Sequence, residues 1–133
     1  MNLTIGRKDR IFSQEQLEER LEYWQNRLRL NHWTIAVDIR EDNDDSEGRN
    51  NYSTSLMESR ISLVHPNKHG APGGYDMEFI LIHELLHLIV EVNRHSSNYE
   101  DHQAWELEAA INSLTRTLIT LNDELEEARH ETN

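Results

Sequence analysis

One apolar segment dominates this sequence and constrains how the chain can fold. Residues 79–90 form its longest apolar run, although only 36% of the 133 residues are hydrophobic. Asp76 can cap a helix that begins at Met77 and ends near Asn93. Because this helix is apolar on nearly every side, we expect it to lie buried between other layers of the structure.

The segments before this helix predict a further helix and a small sheet. Ser13 and Gln16 can form a capping box for an amphipathic helix of roughly four to five turns, with apolar residues at every third or fourth position. Residues 33–40, 51–57 and 60–64 favour β-strands. Tryptophan is expected to pack between helices and sheet at three positions: Trp24, Trp33 and Trp105.

A long helix is predicted near the C-terminus, ending at about Arg129. Its apolar residues form a stripe: Ala104, Leu107, Ile111, Leu114, Leu118, Leu121 and Leu125. The order is then an N-terminal helix, two or three strands, the buried helix and a long C-terminal helix. That order predicts an α+β domain with helices on one face of a small antiparallel sheet. We expect one domain over residues 1–133, with residues 1–12 and 128–133 flexible.

The charge and cysteine content exclude several classes of function. The chain has 13 Lys and Arg against 25 Asp and Glu, a formal net charge of −12, and no cysteine. An acidic surface repels nucleic acid and anionic membranes, so neither is expected as a partner. Without cysteine the chain can form no disulfide and no thiolate metal cluster. Since no apolar run could span a bilayer and no signal peptide is recognised, we expect a cytoplasmic protein.

The buried helix contains a pattern that is typical of a metal site. His83, Glu84 and His87 form a His-Glu-x-x-His (HExxH) motif. Residues four apart lie one above the other on a helix face, so both imidazoles can reach one Zn²⁺ ion. Glu84 lies one helical step round, where its carboxylate can act as a general base toward the attacking water. The alternative is a pair of core histidines that are hydrogen-bonded to nearby carbonyls or acids, without a metal.

A catalytic zinc site needs a third protein ligand, and the downstream helix offers the candidates. The metzincin pattern is excluded, because Val90 and Asn93 occupy its glycine and histidine positions. The remaining candidates are Glu100, Asp101, His102, Glu106 and Glu108. At 100° per residue Glu108 flanks the apolar stripe, whereas Glu106 lies further from it on the other side. Glu100 leaves little chain for a turn after the motif, so Glu108 is favoured.

The sequence resembles the small zincins of the gluzincin type, sometimes called minigluzincins, which include phage and prophage proteins. The resemblance covers residues 28–121 and is carried by residues 30–35, 59–63, 83–88 and 108–114. It implies a minimal zincin-like fold and zinc-dependent hydrolysis of peptide bonds. It also implies that Glu108 is the third ligand, because a Glu-x-x-apolar-Asn/Asp-x-Leu stretch follows the zinc helix in such proteins.

Two further expectations follow from the resemblance. Larger gluzincins have an additional His or Tyr that stabilises the tetrahedral oxyanion, on a segment that this chain lacks. Local substitutes could be Tyr75, His95, Tyr99 and His102. The strand over residues 60–64 is expected at an edge of the sheet, where an extended substrate backbone could pair with it.

The leading hypothesis is a zinc metallopeptidase that acts on a peptide or protein substrate, with His83, His87 and Glu108 as ligands and Glu84 as general base. A second hypothesis is a non-catalytic, zinc-stabilised domain that binds another protein. A third is a metal-free interaction module whose acidic helices bind a basic partner. No oligomeric state is predicted.

Overall fold

The computed structural model describes residues 9–42, 46–69, 74–91 and 101–132. For residues 91, 101–103, 131 and 132 it describes the backbone alone. The chain divides into two units, Met1–Val92 and Asn93–Asn133. The described part of the first unit holds two α-helices, a short 3-10 helix at Pro66–Lys68 and a sheet, and that of the second unit is a single helix.

Helix α1 spans Gln14–Arg27 and begins at the predicted capping box. The Ser13 side chain accepts a hydrogen bond from the backbone N–H of Gln16, and the Gln16 side chain accepts one from the backbone N–H of Ser13 at 2.9 Å. The buried residues of α1 are Leu17, Leu21 and Trp24. They lie on the face that the three- and four-residue spacing predicts, and this face packs toward the rest of the first unit.

Three strands form the sheet: β1 (Thr34–Arg40), β2 (Gly48–Ser53) and β3 (Glu58–Val64). The strand order is β1-β3-β2, with β1 parallel and β2 antiparallel to β3. The sheet is therefore mixed, whereas the sequence pattern predicts an antiparallel sheet. Residues 60–64 belong to the central strand β3, so the prediction that they form an edge is wrong. The edges are β1 and β2.

One face of the sheet is apolar and the other is polar. Val37 and Ile61 are register partners and are both buried, as is Leu63 further along β3. On the opposite face Arg60 forms an ion pair with Asp38 at 2.7 Å. This alternation follows from the two-residue period of strand side chains, and it leaves one face for helices to cover.

Helix α2 spans Met77–Glu91 and lies in the core of the first unit. Its N-terminus is capped as predicted, because Asp76 Oδ1 accepts a hydrogen bond from the Phe79 N–H at 3.1 Å. It packs against β2, β3 and α1. Its buried apolar residues are Met77, Phe79, Ile80, Leu81, Ile82, Leu85, Leu86 and Leu88. A helix that is apolar on nearly every side is therefore covered on several sides, as its composition predicts.

Residues from the N-terminal segment pair with the start of α2. The Arg10 N–H donates to the Tyr75 carbonyl at 3.0 Å, and the Met77 N–H donates to the Arg10 carbonyl at 2.9 Å. Residues 1–8 of the segment that is predicted to be flexible lie outside the described residues. These two backbone hydrogen bonds connect Arg10 to the residues at the start of α2.

Helix α3 spans Asp101–Thr132, and its 32 residues make it about 48 Å long. Its buried residues lie on one line: Ile111, Thr115, Ile119 and Asn122. The predicted apolar stripe lies beside this line and is only partly buried. Trp105 is exposed, so the prediction that it packs between elements is wrong, whereas Trp24 and Trp33 are buried as expected.

The α+β class and the predicted order of helices and strands are confirmed. None of the described helices is both long enough and apolar enough to cross a membrane.

Candidate metal centre

His83 and His87 lie one turn apart on α2 and bring their imidazole nitrogens together. Their Nε2 atoms are 3.3 Å apart, and both residues are half-buried. Two nitrogens bound to one tetrahedral zinc ion at roughly 2.0–2.1 Å would be about 3.3–3.4 Å apart. The pair therefore has the nitrogen separation of a zinc site, and an ion between the rings requires no change in their spacing.

The same separation also suits a direct N–H···N hydrogen bond between the rings. The ring planes are inclined at 64° and their centroids are 5.0 Å apart. In the hydrogen-bonded arrangement one imidazole donates its proton to the other, whereas a metal needs both nitrogens unprotonated. A proton and a metal ion thus compete for the same pair of nitrogens, and higher pH favours the metal.

Glu84 follows the first histidine and is buried, with 8% of its surface exposed. Strand β2 approaches it closely at Gly48. A Cβ atom on Gly48 would lie 3.2 Å from Glu84 Oε2 and 2.6 Å from Ile80 Cγ2. The second distance is far shorter than a van der Waals contact, so any larger residue at this position requires the strand or the helix to shift. The backbone of β2 therefore packs directly against the side of α2 that carries the Glu84 carboxylate.

Asn50 connects the same strand to the backbone of Glu84. Its Nδ2 donates to the Glu84 carbonyl oxygen at 2.9 Å, and the Ser59 hydroxyl donates to its Oδ1 at 2.6 Å. Because a carbonyl oxygen only accepts hydrogen bonds, the Asn50 amide has one usable orientation. The two bonds join β3, β2 and α2 at the level of the candidate general base.

A second His–Glu pair lies beside the start of β2. His69 Nε2 is 2.6 Å from Glu47 Oε2, and Glu47 directly precedes Gly48. The His69 ring also stacks on the Tyr75 ring, with centroids 4.1 Å apart. The Tyr75 hydroxyl donates to the Val64 carbonyl at 2.7 Å, so it is bonded to the backbone of β3 and does not serve as an oxyanion donor.

Several predicted candidates lie where the structure describes no side chain. His95, Tyr99 and Glu100 fall outside the described residues, and Asp101 and His102 contribute their backbone alone. Their proposed roles as ligands or oxyanion donors stay predictions.

Glu106 and Glu108 are both exposed on α3 but lie on different faces of the helix. Glu108 precedes Ile111 by three residues and Thr115 by seven, so it continues the buried line of α3. Glu106 lies about 200° further round the helix. Of the two acids, Glu108 is thus the one that lies in line with the buried residues of α3.

Gly48, Asn50 and Ser59 belong to the surroundings of Glu84, and the motif alone does not predict them. The sequence contains one signal for them. Glycine and asparagine are rare in strands, and a glycine inside a strand marks a bulge or a close approach of another group. The run from Gly48 to Asn51 therefore indicates a strand in which close contact with another element outweighs the low strand propensity of its residues.

No protein-family model, no curated protein and no solved structure matches this chain. The similarity to the gluzincins therefore rests on the motifs described above and stays a prediction.

Proposed function

We propose that this protein is a zinc-dependent peptidase in which His83 and His87 bind the metal and Glu84 is the general base. The observation that carries the proposal is the 3.3 Å separation of the two Nε2 atoms on one helix, next to a buried carboxylate. A carboxylate beside two adjacent imidazole nitrogens is placed to act as a general base toward a water on a metal that those nitrogens hold.

Glu108 is proposed as the third ligand. Two imidazole nitrogens and one carboxylate oxygen are the ligand set of a catalytic zinc site, which keeps its fourth position open for water or substrate. Glu108 lies one turn before Ile111 and in line with the buried residues of α3, which supports it over Glu106 on the opposite side of the helix.

The proposed chemistry divides between the metal and Glu84. Bound zinc would supply an acidified water and a polarised substrate carbonyl. Glu84 accepts a proton from the attacking water and passes it to the leaving amine. The close packing of Gly48 and the Asn50 hydrogen bond hold the carboxylate and its helix in place during these transfers.

Strand β2 is the proposed platform for the substrate. It is an edge strand and it packs against Glu84, whereas β3 lies in the centre of the sheet. An extended peptide that adds to a sheet edge gains main-chain hydrogen bonds along its length. Pairing with β2 would bring the scissile bond of a peptide substrate beside the general base.

Metal analysis of purified variants tests the ligands. After loading with zinc and dialysis, the wild type is expected to retain about one equivalent of zinc, as a single site does. His83→Ala and Glu108→Ala are expected to retain far less. Glu106→Ala is the matched control for Glu108→Ala, because it removes an acid from the same helix on the other face, and it should keep its zinc.

Cleavage of an unfolded, fluorescently labelled protein tests the general base. Glu84→Gln should retain its zinc and lose activity by about 10²–10⁴-fold, because it keeps the size of the side chain and removes its basicity. A zinc-loaded Glu84→Gln that cleaves as fast as the wild type would show that the mechanism is wrong. A zinc-loaded wild type that cleaves no unfolded protein supports the non-catalytic zinc domain, and a wild type without zinc supports the metal-free module.

A further inference from the structure

Helix α3 carries a seven-residue apolar repeat. Its members, which we call the leucine stripe, are Leu107, Ile111, Leu114, Leu118, Leu121 and Leu125. The steps between them alternate between four and three residues. This spacing is typical of the seam along which two helices of a coiled coil pack. The stripe is therefore shaped for another helix.

Half of the leucine stripe is open to solvent. Leu114, Leu121 and Leu125 are 51%, 57% and 46% exposed, respectively. Of the stripe only Ile111 is fully buried, because the buried line of α3 lies beside the stripe and shares that single residue with it. Large apolar residues that recur on one helix face and stay exposed mark a surface for a partner.

The positions that border the leucine stripe are uncharged along its central part. Ala110 and Thr117 lie on one side, and Thr115 and Asn122 lie on the other. A basic partner helix would be recognised by acidic residues all along the borders, whereas the two acids that border this stripe, Glu108 and Glu124, lie only at its ends. The uncharged central part instead allows two equally acidic helices to approach each other. The borders therefore favour a second copy of this chain.

The acidic residues of α3 indicate the relative direction of the two helices. Asp123, Glu124, Glu126 and Glu127 cluster in its C-terminal part. In a parallel pair the two clusters would lie side by side and repel each other. In an antiparallel pair the two clusters lie at opposite ends. The N-terminus of each helix dipole then lies beside the C-terminus of the other, which is favourable.

We propose that the leucine stripe binds the leucine stripe of a second copy, so that two α3 helices pair in an antiparallel manner. Leu114 of each copy then lies opposite Leu118 of the other, and Leu107 lies opposite Leu125. This pairing makes the protein a homodimer, and it does not depend on the metal site.

Sedimentation equilibrium tests the dimer from about 1 to about 300 µM, since self-association follows mass action. The wild type should approach twice the chain mass of 15.7 kDa. Leu114→Glu combined with Leu121→Glu should remain at the chain mass with unchanged zinc content. The matched control is Ser113→Glu combined with Thr120→Glu, which adds the same charge to exposed positions away from the stripe. It should dimerise like the wild type.

The salt dependence and cross-linking give two independent measurements. Two copies with a net charge of −12 each repel each other, so the dissociation constant of the dimer should fall as NaCl rises from about 20 to about 500 mM. Because the chain has no cysteine, a mixture of Leu107→Cys and Leu125→Cys should form a disulfide-linked dimer. Neither variant should do so alone.

Three results would overturn the proposal. One is a wild type that stays monomeric at the highest concentration and salt. Another is a control variant that dissociates as readily as the stripe variant. The third is efficient cross-linking of Leu125→Cys with itself, which requires parallel helices. If the glutamate pair fails to fold by circular dichroism, Leu114→Ala combined with Leu121→Ala replaces it and should raise the dissociation constant at least tenfold.

Discussion

The helices α2 and α3 differ in how their apolar residues are used. Helix α2 is apolar on nearly every side and is buried against a sheet and another helix. Helix α3 is amphipathic, and three of its stripe leucines stay exposed. An apolar pattern therefore predicts how much of a helix surface must be shielded from water. It does not predict whether residues of the same chain provide the shielding. The His-Glu-x-x-His motif lies on α2, where Glu84 is buried and both histidines are half-buried.

The largest expected difference between the two helices is in the cost of removing a leucine. Leu85 in α2 is fully buried, and Leu121 in α3 is 57% exposed. Leu85→Ala should lower the free energy of unfolding by about 2–5 kcal/mol, because it leaves a cavity. Leu121→Ala should lower it by about 0.5 kcal/mol or less. Urea denaturation at low protein concentration measures both, and equal losses would contradict the comparison.

A smaller effect is expected where β2 meets α2. Gly48→Ala should lower the free energy of unfolding by about 2–3 kcal/mol, because its new methyl group collides with Ile80 and must push strand and helix apart. The matched control is Gly74→Ala, whose Cβ would lie 3.5 Å from its nearest neighbours, atoms of Asp9. It should stay within about 0.5 kcal/mol of the wild type. Thermal unfolding of both variants in parallel measures the difference. A Gly48→Ala protein as stable as the control would refute the close approach of Gly48 to Ile80.

The smallest effect is expected at the hydrogen bond between Asn50 and the Glu84 carbonyl. Asn50→Asp keeps the shape of the side chain and removes its N–H donor, so it should lower the free energy of unfolding by about 1–2 kcal/mol. Asn51→Asp makes the same change at an exposed neighbour and should have little effect. Urea denaturation near neutral pH measures the difference between the two variants, and no difference would argue against the bond.

Much of the first unit could be predicted from local patterns. The capping box at Ser13, the strand after Trp33 and the cap at Asp76 depend on residues within a few positions of one another, and all three are confirmed. The bounds of β2 are predicted less well, because the pattern favours residues 51–57 and the strand is Gly48–Ser53. Its glycine and asparagines have low strand propensity, and contacts with α2 and β3 outweigh that preference.

The candidate site also has one part that local patterns predict and another part that they do not. The spacing of His83 and His87 predicts that both rings share one helix face, and their nitrogens are indeed adjacent. Gly48, Asn50 and Ser59 lie 25 or more positions from Glu84 in the sequence, so no local pattern could connect them to it. The choice of Glu108 over Glu106 as a ligand stays a prediction. Periodicity places Glu108 beside the apolar stripe, and the burial of Ile111 and Thr115 shows which side of α3 it shares.

The sequence by itself determined where helices α1 and α2 begin and which residues form the His-Glu-x-x-His pattern, because helical periodicity and capping act over a few residues. Only the tertiary structure decided the strand order, the approach of Gly48 to Glu84 and the side of α3 that is buried. The physical reason is that periodicity shows which face of an element is apolar, whereas the group that covers this face is set by the packing of distant segments.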